Sequence, residues 1–285
     1  MTQFPTGLGA IADQFDLVVM DLWGCMHDGI KAYPAAVEVL RQLKARGTPV
    51  ALVSNAPRRT SIVRPRLREM GITDDLYAGF YTSGEEIWNH LSRRDAPGYE
   101  ALGRKAYFIA GPLDRNFGEG LDVDPVTDIA AADFLLVLGV GGPDVKVEDF
   151  TDLLKAAKAR NLPLVCANPD LIVHRGSVAE ICAGAIAEAY LEMDGTILIE
   201  GKPHAGVYRR VLGDFHVAPK RLIGIGDALR TDVAGAAGIG ARSLLIAGGI
   251  HHAALLKGDG VDQVTLKTLS SGGHAPDFAL PYLRW

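Results

Sequence analysis

The sequence is poor in cysteine, in aromatic residues and in long apolar runs. Cysteine occurs at Cys25, Cys166 and Cys182 only, an odd number without metal-ligand spacing. That excludes a disulfide scaffold and a thiolate metal site, and it points to a reducing cytosol. No run approaches the ~18 apolar residues of a membrane-spanning helix. The first residues, MTQFPTGLGAIADQFD, lack the basic segment followed by an apolar stretch that marks a secretory leader. Positive charge is also short: 29 basic residues against 34 acidic ones give a formal net charge of −5. A nucleic-acid partner, which needs a basic footprint, is therefore not expected, and neither is a membrane partner. What remains is a 285-residue chain, 48% hydrophobic, long enough for about two domains or one domain with an insertion.

Short apolar runs alternate with amphipathic segments. FDLVVMD (15–21) and TPVALVSN (48–55) are continuously apolar and end in polar residues, the pattern of strands buried on both faces. Between them, AAVEVLRQLKARG (35–47) places Val37, Leu40 and Leu43 on one helical face and stops at Gly47. TSIVRPRLREMG (60–71) is expected to be helical in spite of Pro65. In the middle region KAYFIAG (105–111), DFLLVLGV (133–140) and LPLVCAN (162–168) are expected strands, with a helix over 147–160. SVAEICAGAIAEAYLEM (177–193) is expected to be a helix opened by a capping box from Ser177 to Glu180. The first pattern then resumes with TILIEGK (196–202), a helix from His204, RLIGIGD (221–227), a helix from Thr231, and ARSLLIAGG (241–249). Strand–helix alternation predicts an α/β fold, a doubly wound parallel sheet whose core is split by a middle domain.

Ligands of such sheets sit beyond the carboxyl ends of the strands. The residues expected there are Asp21, Ser54 with Asn55, Lys202, and Asp227 followed by Asp232. Neighbouring carboxylates repel unless a cation sits between them, and an all-oxygen donor set suits Mg²⁺. Lysine, a hydroxyl and backbone amides suit a phosphate. A carboxylate beside such an ion can act as a nucleophile and form an aspartyl-phosphate.

DLWGCMHDG (21–29), LVSNAPR (52–58), GKPHAGVY (201–208) and IGDALRTDVAGA (225–236) resemble, in that order, the four motifs of the haloacid dehalogenase superfamily. Roughly 150 residues separate Ser54 from Lys202, a domain's worth of chain. That placement resembles class IIA, the members with a large C2-type α/β cap, such as pyridoxal, 4-nitrophenyl- and nucleotide phosphatases. LVCANPD (164–170) and the segment 178–186 resemble the end of that cap.

The resemblance implies a Rossmann-like core over 1–83 and 196–285 and a cap over 84–195. It implies a Mg²⁺-dependent phosphohydrolase acting on a small phosphorylated metabolite, cytoplasmic, and compatible with a homodimer. Asp21 would be the nucleophile and a metal ligand, and Trp23 would ligate the ion through its backbone carbonyl. Asp227 would be the second acidic ligand, with Asp232 reaching the ion through water. Ser54, Asn55 and Lys202 would hold the phosphoryl group, and Asn168, Asp170, His174 and Arg175 would lie on a substrate loop.

One residue departs from the pattern. The phosphatases carry a general-acid Asp two residues after the nucleophile, whereas this chain has Trp23. An indole N–H cannot hand over a proton near neutral pH. His27 and Asp28 stand close enough in sequence to replace it, or to serve only as turn and flap residues. Trp23 also keeps two other readings open: a retired domain that binds a phosphorylated ligand or a protein partner, and a dehalogenase-like hydrolase.

Overall fold

The computed structural model describes residues 1–175 and 178–285, and for residues 112, 113, 115, 174 and 175 the backbone alone. The chain divides into two compact units. One comprises Met1–Ser54, Val63–Tyr81 and Lys202–Trp285, the other Asn55–Ile62 and Thr82–Gly201.

In the first unit the strand Leu17–Met20 is apolar throughout because both its faces are covered. Val18 and Met20 join Leu52, Ile225 and Ile246 in one core, while Leu17 and Val19 join Val53, Val207 and Leu222 in another. This strand pairs in parallel with Val50–Ser54 on one side and Leu222–Gly226 on the other. Among the described residues the sheet has six strands; Gly79–Thr82 forms one edge, and Arg242–Ile246 and Phe278–Leu280 complete the other flank. The strands therefore wind outward in opposite directions from Leu17–Met20. The switch point, where doubly wound sheets hold their ligands, falls between the ends of Leu17–Met20 and Leu222–Gly226. The helix Pro34–Ala45 opens on a proline, buries Val37, Leu40 and Leu43, and is followed by Gly47 at φ +74°. Thr60–Glu69 is helical with Pro65 inside it, as the sequence suggests.

The second unit holds a parallel sheet of five described strands, in the order Ile197–Ile199, Leu164–Cys166, Phe134–Val137, Lys105–Ile109, Asp124–Val126. Two sequence expectations need correction here. First, TILIEGK is not a strand of the core sheet: Ile197–Ile199 pairs with Leu164–Cys166 in the second sheet. Second, the segment 177–193 is not one helix. Val178–Ile181 is a strand paired antiparallel with Ile172–Arg175, and the helix is Ala183–Glu192, entered from Cys182 in extended conformation. The pairing of Ile172–Arg175 with Val178–Ile181 outweighs the local helical signal of Glu180, and Ser177 of the expected capping box lies outside the described residues.

Residues 55–62 group with the second unit through side chains. Arg58 Nε lies 2.7 Å from Asp114, Glu85 accepts from Arg59 (3.0 Å) and the Thr60 amide (2.9 Å), and the Arg59 guanidinium sits 3.8 Å from the Trp88 ring centroid.

Glu200 closes the last strand of this unit in a poorly solvated place. Burial, and then the charge of Glu86, push its pKa from 4.5 up to about 7. His90 Nε2 stands 3.6 Å from Glu200 Oε1, past hydrogen-bond length. A carboxyl whose pKa is raised by folding contributes stability below its unfolded value and loses it as pH rises through the folded value. The rise from 4.5 to about 7 corresponds to about 3 kcal/mol. Denaturant midpoints of the native chain are therefore expected to fall as pH rises from about 4.5 to 7, and Glu200→Gln should flatten that fall.

Candidate active site

Asp21 follows the strand Leu17–Met20 directly, and its amide donates to Ile225 O (2.8 Å), which continues the ladder beyond the strand end. Ser54 ends the neighbouring strand, and Asp227 follows Leu222–Gly226 on the other side. The turn after Asp227 is a π-type helix, Leu229–Val233, in which the Asp232 and Val233 amides both donate to Ala228 O (3.0 and 3.2 Å). The wider turn brings the Asp232 carboxylate back over Gly226, where an added Cβ would lie 2.1 Å from Asp232 Cγ. π-turns of this kind concentrate at functional sites.

Three carboxylates, Asp21, Asp227 and Asp232, meet here with ligand oxygens within 4.8 Å of one another, all buried. Lys202 lies among them. Its Nζ donates to Asp21 Oδ1 (2.5 Å) and Asp232 Oδ1 (2.7 Å), and its residue surface is only 2% exposed. Asp232 Oδ2 accepts from the Ala228 amide (3.1 Å), so this carboxylate is held on both oxygens. Burial opposes the charge of Lys202, and the two carboxylates overcome it, holding its pKa well above the usual lysine range. Asp227 is pushed well above the carboxylate range, by burial and then by the charges of Asp21 and Asp232, although the Ile250 amide donates to it at 2.7 Å.

Three carboxylates against one ammonium leave two negative charges in a buried space when all are ionised. A divalent, oxygen-seeking cation balances that charge, and the donor set fits Mg²⁺.

Sequence reasoning identified the charged groups but missed the glycines that seat them. A Cβ on Gly24, which holds φ +73°, would fall 1.9 Å from Asp227 Oδ2, and one on Gly249 would fall 2.1 Å from the same oxygen. The Asp227 carboxylate is thus wedged between two backbones that must stay bare. Gly24 lies inside the first motif and Gly226 beside Asp227, so both were legible in principle. Gly249 follows a different strand, and only the folded chain reveals its role.

In the loop after Asp21, His27 and Asp28 are both engaged in backbone turns. Trp23 forms a bridge with His27, and their rings meet edge to face at 5.4 Å. Gly29, at φ +86°, lies so close beneath the indole that a Cβ would sit 2.3 Å from Trp23 Cη2. The buried His27 has its pKa lowered to about 4 by desolvation, and its Nδ1 accepts from the Gly29 amide (3.0 Å). Asp28 Oδ1 accepts from the amides of Ile30 (2.9 Å) and Lys31 (2.8 Å), an Asx-type turn that lowers its pKa. Both side chains accept from backbone amides of the turn.

The expected substrate-loop residues belong to the second unit. Asn55 Nδ2 donates to Asp170 Oδ1 (2.9 Å), and the Asp170 amide donates to Asn168 Oδ1 (2.9 Å). His174 and Arg175 lie in the strand Ile172–Arg175, and their side chains are outside the described set. Lys202 reaches the site without ending a core strand, because the chain enters the first unit at this residue after leaving the second sheet.

Residues 18–123 match a family model described as haloacid dehalogenase-like hydrolase, and residues 199–271 match one described as HAD-hydrolase-like. A crystal structure of a haloacid dehalogenase-like hydrolase from Brucella suis 1330 superposes with a TM-score of 0.83 and 31% identity, covering 98% of this chain and 100% of that one. Ribonucleotide monophosphatase NagD of Escherichia coli K12 is 26% identical over 245 residues, 82% of this chain and 88% of its own. Human glycerol-3-phosphate phosphatase is 23% identical over 264 residues, 85% of this chain and 81% of its own. With its motifs, its fold and these relatives in agreement, the chain belongs to the haloacid dehalogenase-like hydrolases, as a member of class IIA.

Proposed function

We propose that this protein is a Mg²⁺-dependent phosphohydrolase that acts on a small phosphorylated metabolite through an aspartyl-phosphate on Asp21, with Trp23 in place of the general-acid Asp. The observation that carries this reading is the buried Lys202 ammonium joined to Asp21 and Asp232, with Asp227 beside them. A domain that only bound a ligand would have no use for three buried carboxylates, each costly to desolvate. The names of two relatives, ribonucleotide monophosphatase and glycerol-3-phosphate phosphatase, support the same chemistry.

Asp21, Asp227 and the Trp23 carbonyl would hold the ion, with Asp232 reaching it through water; bound there, it would offset phosphate charge and let a carboxylate approach phosphorus. Asp21 attacks phosphorus. Lys202 orients the Asp21 carboxylate and neutralises charge on the transferring group. The Ser54 hydroxyl and the Asn55 amide donate to phosphoryl oxygens. Residues 84–195 act as the C2-type cap, in which Asn168, Asp170, His174 and Arg175 select the substrate. No described helix is long and apolar enough to cross a membrane. We place the enzyme in the cytoplasm, without a nucleic-acid or membrane partner.

The test is phosphate release from p-nitrophenyl phosphate with and without Mg²⁺. Release that stops in EDTA and returns with added Mg²⁺ is the expected result. Undiminished release in EDTA would overturn the Mg²⁺ dependence, and no release under either condition would overturn the phosphohydrolase reading.

A further inference from the structure

Resting on the phosphohydrolase reading, the second unit reaches the phosphate-binding residues along the chain itself. The chain passes between the units at four places, among them directly after Ser54, directly after Tyr81 and directly before Lys202. Ser54 and Lys202, both assigned to the phosphoryl group, are therefore each one peptide bond from a residue of the second unit, Asn55 and Gly201 respectively.

Within the second unit these residues lie against each other. Gly201 holds φ +102°, and a Cβ there would fall 2.6 Å from Asn55 Oδ1, 2.9 Å from Ser83 Cβ and 3.1 Å from Pro169 Cγ. Ser83 follows the crossing after Tyr81 by two residues, and its Oγ donates to Ala167 O (2.5 Å). The next amide, that of Gly84, donates to Ala56 O (3.1 Å). Three crossings of the chain are thus rooted in one close-packed knot.

Asp170 ties Asn55 into that knot. Its Oδ1 accepts from Asn55 Nδ2 (2.9 Å), while its own amide donates to Asn168 Oδ1 (2.9 Å). Its carbonyl oxygen packs against Gly184, where a Cβ would lie 2.5 Å away. Asn55 is 4% exposed, and a carboxylate acceptor makes its bond a charge-assisted one. A side chain bound at Nδ2 and stopped at Oδ1 by Gly201 leaves the Asn55 backbone few orientations. Its N–H is then held in place before a phosphate arrives, which lowers the ordering cost of binding.

We infer that Asp170 is a positioning residue for phosphate binding, acting through the Asn55 side chain on the Asn55 backbone amide and the adjoining Ser54. This role, in addition to its place on the substrate loop, requires no contact with the leaving group. It serves every phosphate alike, inorganic phosphate included.

The experiment compares the inhibition constant of inorganic phosphate with the KM of p-nitrophenyl phosphate, both with Mg²⁺. Asp170→Ala should raise both by the same factor, about tenfold, and change kcat less. Asn55→Ala keeps the backbone N–H and breaks the same bond, so it should match, and the double variant should be no worse than either single one. Asp170→Asn keeps an acceptor oxygen and should hold the inhibition constant within about threefold of native. If Asp170→Ala does not fold, Asn55→Ala and Asp170→Asn decide on the same constant. A raised KM with an unchanged phosphate constant overturns this inference alone, because Asp170 then acts on the leaving group. Additive losses in the double variant, or a loss in Asp170→Asn as large as in Asp170→Ala, overturn it as well. A native protein that neither binds phosphate nor releases it from p-nitrophenyl phosphate with Mg²⁺ overturns both the inference and the phosphohydrolase reading.

Discussion

Asp21→Asn is expected to lower p-nitrophenyl phosphate turnover by on the order of 10⁴-fold or more while leaving the protein folded. The loss follows from the role of this carboxylate: an amide oxygen at the same position is not a nucleophile toward phosphorus. Retention of the fold follows from the charge count. Asp21, Asp227 and Asp232 crowd within 4.8 Å against the single ammonium of Lys202. Removing one negative charge relieves repulsion, and Lys202 keeps its 2.7 Å partner Asp232. The denaturant midpoint should be unchanged or higher in the absence of metal. Coupled loss of activity and stability would mean instead that Asp21 is mainly structural.

Lys202→Met should have the opposite thermodynamic signature. Methionine retains the length of the side chain and removes the ammonium, leaving Asp21 and Asp232 buried with their lysine partner gone. Breaking a buried ion pair from one side costs about 3–5 kcal/mol. The loss should depend on pH in a defined direction. Without Lys202 the carboxylates become harder to ionise, so their folded pKa values rise. Groups raised in this way stabilise the fold below their unfolded pKa and lose that contribution as pH rises through the folded one. The variant should therefore be closest to the native protein near pH 4 and furthest from it near pH 8, as read from denaturant midpoints. An equal deficit at both ends would show that lost packing, rather than lost charge, dominates.

The parts of this molecule that were legible in the sequence share a physical cause. Leu17–Met20, Val50–Ser54 and Leu222–Gly226 are covered on both faces, so their runs are apolar without interruption and the first polar residue marks the end. Asp21, Ser54 and Asp227 stand out for that reason. Lys202 does stand beside Asp21 and Asp232, but not at the end of a core strand as the sequence suggested. The run Ile197–Ile199 looks the same whether it completes the core sheet or, as it does, a second one, because sheet membership is decided by long-range pairing. The stretch from Val178 to Ile181 misled for a related reason: its Glu suits a helix start, and only pairing with Ile172–Arg175 makes it a strand. The Asp227 seat between Gly24 and Gly249 joins residues far apart in the chain, so spacing alone could not disclose it. The turn hydrogen bonds of His27 and Asp28 depend on how the loop folds, which the sequence alone left open.

The central claim is that Asp21 itself becomes phosphorylated. A phosphoenzyme on this carboxylate is the intermediate that separates the account from direct attack of water on the substrate. The direct measurement is rapid acid quenching during turnover of p-nitrophenyl phosphate with Mg²⁺, followed by peptide mass mapping. The expected result is one phosphoryl group on the peptide that contains Asp21, labile to hydroxylamine, missing in EDTA and missing in Asp21→Asn. A phosphoryl group on another residue, or sustained turnover by Asp21→Asn, would contradict the account.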